Sequence, residues 1–300
     1  MGETGEKGTR RDLDLPEVTE DKATEEVARV YQRIKETLQA NVVNFVWRAF
    51  AAKPRFLEAA WDRLEPCVDR GFMEAAGGIR AMAIERVRES QIIPDHRTLL
   101  GKDLHEAVQE LRVFLEVNPR LLILTSAMRM SWKGADVGGH RQAVPTERAI
   151  PRWHPEISVK DGSVGKLKGV YSDIEETLDI PKPNTDFRAL GKWPDYLAEA
   201  WNDLKPFIGS TAWKAVVKSV NWNGKLAAIA LPEQVRISAS DPSELGLEPD
   251  EVEEVGSWIT AFDTLLPPLI VNTSWLWLGM TGGVAAIETE GHPAFEEAAG

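Results

Sequence analysis

Apolar residues recur at helical spacing through most of this chain. Val27, Val30, Tyr31, Ile34 and Leu38 fall on one face of a helix running on from Glu17. Asn41 to Asn44 reads as a connection, and a short helix starts near Asn44. Phe56, Leu57, Ala60, Trp61 and Leu64 mark the next amphipathic helix, which Pro66 stops. Gly77-Gly78 leads into a helix over 79–87. Leu104, Val108, Leu111 and Leu115 are in phase over 103–117, Asn118-Pro119 punctuates that helix, and 121–130 forms a second, apolar one. The most apolar run, 265–280, is interrupted by Pro267-Pro268 and by Asn272, Thr273 and Ser274. It is too short and too polar to span a bilayer and predicts a buried helix. Strand signals are confined at most to 235–238 and 157–158.

The pattern occurs twice. With the chain shifted by 140 positions, Val30-Tyr31 falls on Val170-Tyr171, Ile34 on Ile174, and Asn44 on Asn184. Arg48 then falls on Arg188, Pro54 on Pro194, Ala60-Trp61 on Ala200-Trp201, and Pro66 on Pro206. Further on the shift becomes 148, and Phe114, Pro119 and Thr125-Ser126 meet Phe262, Pro267 and Thr273-Ser274. These registers predict an all-α fold, a tandem duplication of one helical unit packed as an intramolecular pseudo-dimer. The expected divisions are a disordered tail over 1–14, a first repeat over 15–133, a Gly- and Pro-rich linker over 134–165, and a second repeat over 166–290. The shared interface is the expected ligand cleft.

Charge and cysteine usage narrow the partners. The formal net charge is −12 and no basic stretch offsets it, which argues against nucleic acid and anionic membrane. A small anionic substrate needs only a local donor pocket, and a homodimer is compatible with the sequence. One cysteine, Cys67, excludes an internal disulfide, suits a cytoplasmic protein and reads as a core thiol. The charged first fourteen residues have no signal-peptide core.

Common catalytic motifs are missing. The five histidines, at 96, 105, 140, 154 and 292, have no metal-ligand spacing, so a His-based metal site is not expected. Gly162 to Lys166 is too short for a phosphate loop and lacks the following Ser or Thr. Trp47, Trp61 and Trp201 read as core packing.

The strongest candidate lies where the two copies disagree. Asn44-Phe45-Val46-Trp47-Arg48 stands against Asn184-Thr185-Asp186-Phe187-Arg188, so a carboxylate replaces an apolar residue. Asn184 suits an N-cap, and an acid in the first turn is favoured by about 0.3–1 kcal/mol. That bland role fits Asp186 well. The same field would keep Asp186 ionised as a general base, with Thr185 and backbone N–H groups holding a small carboxylate. Phe45 and Val46 would supply an apolar wall.

Together, Val43-Asn44-Phe45 with Arg48 and Asn184 to Leu190 resemble the group I 2-haloacid dehalogenases, which act on D and L enantiomers. Val-Tyr-x-x-Ile before each motif and Pro-x-x-Leu-x-x-Ala-Trp-x-x-Leu-x-Pro after it extend the resemblance over roughly residues 15–285. It implies an all-helical pseudo-dimer with the site between its halves. The implied reaction is displacement of halide from C2 of a short 2-haloalkanoic acid by a water that Asp186 activates. No ester intermediate forms and no cofactor takes part. Thr185 stands where Ser is usual beside the base, and Phe45 lines the pocket. Either Asn118 or Leu115 stands at the family's water-assisting Asn, and Val42 at a pocket-wall position that is usually a large aromatic. The other readings are a non-catalytic small-carboxylate-binding protein that kept the fold, and a hydrolase of some other small acid.

Overall fold

A computed structural model describes residues 15–151, 154–160 and 165–283. The expected tail over 1–14, and parts of the expected linker and of the end of the second repeat, lie outside the described residues. The helices are α1 (Glu25–Thr37), α2 (Phe45–Phe50), α3 (Pro54–Leu64), α4 (Arg70–Ser90), α5 (Arg97–Leu100) and α6 (Leu104–Trp132). They continue with α7 (Lys166–Leu178), α8 (Thr185–Leu190), α9 (Pro194–Leu204), α10 (Thr211–Ile229) and α11 (Val252–Met280). No strand occurs among the described residues, which corrects the weak strand signals at 157–158 and 235–238.

Local chemistry explains the boundaries. Thr24 caps α1 by accepting from the Val27 N–H at 3.4 Å. Pro54 and Pro194 open α3 and α9, where the missing N–H costs nothing. Asp69 caps α4, accepting from the Phe72 N–H at 2.8 Å. That cap starts α4 well before Gly77-Gly78, contrary to the sequence expectation. The buried face of Phe72, Ala76, Ile79, Ala83 and Val87 runs straight through the glycine pair.

The expected break at Asn118-Pro119 is also absent, because α6 continues across it for 29 residues. Proline inside a helix denies one N–H to the carbonyl four residues earlier and crowds it. Here a dense apolar surround compensates, since α6 is buried through its middle and packs most extensively on α11. That partner helix is also 29 residues long and carries Pro267-Pro268 internally. Helices α4 and α10 complete the packing around this central pair. At Gly224 of α10 a Cβ would lie 2.7 Å from the Leu122 side chain of α6, so a glycine permits the close approach. Helix α10 had no counterpart in the sequence reading.

Helices α2 and α8 each have six residues, α3 and α9 eleven, and each pair is 140 positions apart. The long pair α6 and α11 starts and ends 148 positions apart. Trp47, Trp61 and Trp201 are all buried, with Trp47 edge-on to Trp61 at 5.2 Å and Phe187 edge-on to Trp201 at 5.7 Å. These rings orient the short helices α2 and α8 on α3 and α9.

Candidate active site

A small cavity of about 40 Å³ lies where α2, α6, α8 and α11 meet. Leu15, Ile180 and Pro181 complete part of its wall. At offsets of 140 and 148 positions its lining falls into matched pairs: Asn44 with Asn184, Phe45 with Thr185, Val46 with Asp186, Asn118 with Leu266, and Leu121 with Leu269. The polar members meet because α6 packs on α8, and their apolar counterparts meet because α11 packs on α2. One wall is therefore polar and the opposite wall apolar. Phe45 is fixed edge-on against Phe262 at 5.5 Å.

Asp186 is 2 % exposed and accepts a hydrogen bond on Oδ2 from Asn118 Nδ2 at 2.8 Å. Burial pushes its carboxyl up from 3.8 to about 7, against the opposing pull of Asn118 and of its own backbone N–H. The sequence expectation that the helix N-terminus keeps this acid fully ionised is thus corrected. Loss of water outweighs the field of a helix of only six residues. A second buried acid, Asp263, has both a neutral and a charged partner. It accepts from Ser126 at 2.6 Å and pairs with Arg129 at 2.7 Å. Asp186 has an uncharged amide instead of a cation, which leaves its proton in play near neutrality.

Leu115 belongs to the apolar core, while Asn118 lines the cavity. The two lie almost one turn apart on α6, and only Asn118 reaches Asp186. Val42 is not among the lining residues. It packs with Val113, Phe114 and Ala189 in a separate apolar cluster, because the chain entering α2 turns its side chain to the flank of α6. Asn184 occupies the N-cap position of α8 but its side chain makes no capping hydrogen bond, and it faces the cavity instead.

Below Thr185 lies an ionic group that sequence reasoning missed. The Thr185 hydroxyl accepts from Arg48 Nη2 at 3.1 Å, and Arg48 also donates to the Val43 carbonyl at 2.5 Å. Glu17 pairs with Arg48 at 2.9 Å, with Arg188 at 3.6 Å and with Lys182. Lys182 lines the cavity and stands 4.1 Å over the Phe45 ring. Three cations around one carboxylate make this corner locally positive in a chain of net charge −12. The only sequence trace of the group is the Arg48 and Arg188 match. Glu17 and Lys182 have no such signal, because their pairing spans 165 positions. Arg48→Met should cost about 2–4 kcal/mol by urea unfolding, since it strips charged hydrogen bonds from buried acceptors. An unchanged midpoint would contradict that structural role.

Cys67 is buried, and burial pushes its thiol up to about 12, as fits a core position. Among the described residues no group of three or more His, Cys, Asp or Glu is placed to hold a metal ion, and no helix is long and apolar enough to cross a membrane.

The chain is similar to known proteins. Residues 41–182 match the family model described as halocarboxylic acid dehydrogenase DehI. An (R)-2-haloacid dehalogenase of Rhizobium sp. (strain NHG3) is 30% identical over 230 residues, which span 73% of this chain and 89% of that one. The chain belongs to the 2-haloacid dehalogenase family. Within the family, an (R)-2-haloacid dehalogenase of Pseudomonas putida is 29% identical over 273 residues, covering 86% of this chain and 90% of the relative. A configuration-inverting 2-haloacid dehalogenase of Pseudomonas sp. (strain 113) is 27% identical over 227 residues, covering 69% and 72%. The solved structure of a D-2-haloacid dehalogenase with L-LA superposes with a TM-score of 0.84 at 26% identity, covering 90% of this chain and 97% of that one. The named 2-haloacid dehalogenases of the family are hydrolases acting on carbon–halide bonds.

Proposed function

We propose that the protein hydrolyses short 2-haloalkanoic acids of D and L configuration through direct attack on C2 by a water that Asp186 activates. The observation that carries this reading is a buried carboxylate in a small cavity, raised to about 7 and hydrogen-bonded to Asn118. A general base is most effective when its pKa lies near the working pH. Asp186 accepts a proton from the water, the water oxygen forms a bond to C2, and the carbon–halogen pair leaves with the halide. A 2-hydroxy acid forms, and the proton held on Asp186 is later lost to solvent. The carboxylate receives no carbon, so no ester forms.

Asn118 holds the base and helps to position the water. Thr185, Asn184 and nearby backbone N–H groups hold the substrate carboxylate, and the positive corner of Arg48 and Lys182 draws the anion in. Phe45 and Val46 keep bulk water away, which strengthens the contacts of the polar wall. Two relatives named for (R) acids support the D enantiomer. The L enantiomer rests on the resemblance of the duplicated motif to the group I enzymes. Hydrogen and alkyl group would exchange places around C2 while the water keeps one face.

The repeat registers and matched helix lengths support a tandem duplication, with 15–133 and 166–290 as its copies and 134–165 as the connection. The paired lining of the cavity supports a pseudo-dimer whose two copies diverged at Val46 and Asp186. An exposed stripe of Trp222, Leu226 and Ile229 on α10 is where two chains would associate as a homodimer. One buried thiol suits the reducing cytoplasm.

The test is halide release from separate D- and L-2-chloropropionate and 2-bromopropionate. Release from both enantiomers is expected. Release from D alone would remove the L part, and release from neither would turn the reading toward a binding protein. The pH dependence is a further check. Asp186 works deprotonated, so kcat/KM should rise with pH through about 7 and level above it. A flat profile from pH 5 to 9 would contradict Asp186 as the base.

A further inference from the structure

A second, larger cavity of about 210 Å³ lies beside the first. The two share Ile180, Asn184, Leu265 and Leu269, so these side chains form a common wall. Nothing in the proposed reaction uses the larger space. One polar group in it stands out. Asn272 is fully buried in α11, its Oδ1 accepts from Trp213 Nε1 at 2.9 Å, and its Nδ2 has no hydrogen-bond partner among the described residues. A buried amide donor left unpaired costs free energy that a ligand acceptor would recover. Asn272 also stands where the first long helix has Leu124, in the 148 register. The same exchange of polar for apolar residue sets Asp186 against Val46.

From this we infer a substrate subsite. The larger cavity accepts the C2 substituent of longer 2-haloacids, and Asn272 Nδ2 donates to a neutral acceptor, a carbonyl or ether oxygen, near the end of that substituent. The shared wall is mostly apolar and suits the methylenes that would cross it. Asp179 also lines the cavity, which disfavours an anionic end group. The subsite rests on the reading of the smaller cavity as the 2-haloacid site, and extends it to a substrate class.

The experiment compares bromide release from 2-bromopropionate, 2-bromohexanoate and 2-bromo-5-oxohexanoate. In the wild-type enzyme kcat/KM for the oxo acid should exceed that for the hexanoate by about tenfold, because only the former satisfies the amide. In Asn272→Leu that ratio should fall to about one. The ratio is internal to each protein, so partial loss of folded variant leaves it intact. Turnover of 2-bromopropionate with equal rates for the two longer acids in wild type, or with neither longer acid accepted, would overturn the subsite alone. So would a ratio that Asn272→Leu leaves unchanged. Release from none of the three would overturn the catalytic reading, and the subsite with it.

Discussion

Asp186→Asn should lower halide release by about 10²–10⁴-fold, the range that a positioned general base supplies. The same substitution should make the protein more stable at neutral and alkaline pH. The native state holds the Asp186 proton up to about 7, whereas the unfolded chain releases it near 3.8. Between those values the native state binds more protons, so stability falls as pH rises and the loss is complete above about 7. The full penalty is about 4 kcal/mol. Asn keeps the shape and the acceptor for Asn118 but carries no charge to bury. Urea unfolding should therefore show Asp186→Asn stabilised by a few kcal/mol at pH 8, with the difference vanishing below about pH 4. A variant that loses activity together with stability at pH 8 would mean that Asp186 serves the fold.

Asn118→Leu should have the next largest effect. Among the described residues its amide is the only side-chain donor to Asp186, and it pulls the carboxyl down against the rise caused by burial. A hydrogen bond to a charged group is worth about 1.5–3 kcal/mol, so its removal should move the apparent pKa of the rate profile upward by about one to two. At pH 7 less of the base is then ionised, and kcat/KM should fall by about 5- to 50-fold. Part of the loss should return at pH 9. An unshifted profile with a uniformly lower rate would assign Asn118 to the water alone.

Much of the scaffold was legible because amphipathic helices carry their own period. The faces of α1, α3, α7 and α9 follow from spacing, and the 140 and 148 registers follow from residue matches across the chain. Asp186 was legible for the same reason, as a single polar residue at a position whose counterpart is Val46. Proline and glycine misled where tertiary packing decides. Pro119 sits inside α6 where that helix is buried among apolar neighbours, and Gly77-Gly78 sits inside α4 because Asp69 fixes the start. The family resemblance puts Val42 at the pocket wall, and a motif position does not say on which side of α6 a flanking side chain lands. The Glu17 cluster and the second cavity depend on distant contacts that leave no local pattern. The protonation of Asp186 was misjudged because burial, the dominant cause, cannot be counted along a sequence.

The most direct test of the central claim is one turnover in ¹⁸O water with enzyme in excess over D-2-bromopropionate. Attack by the activated water predicts ¹⁸O in the lactate and none in the protein. Unlabelled lactate with ¹⁸O in the Asp186 carboxylate would contradict it, because the carbon would then have passed through an ester on that residue.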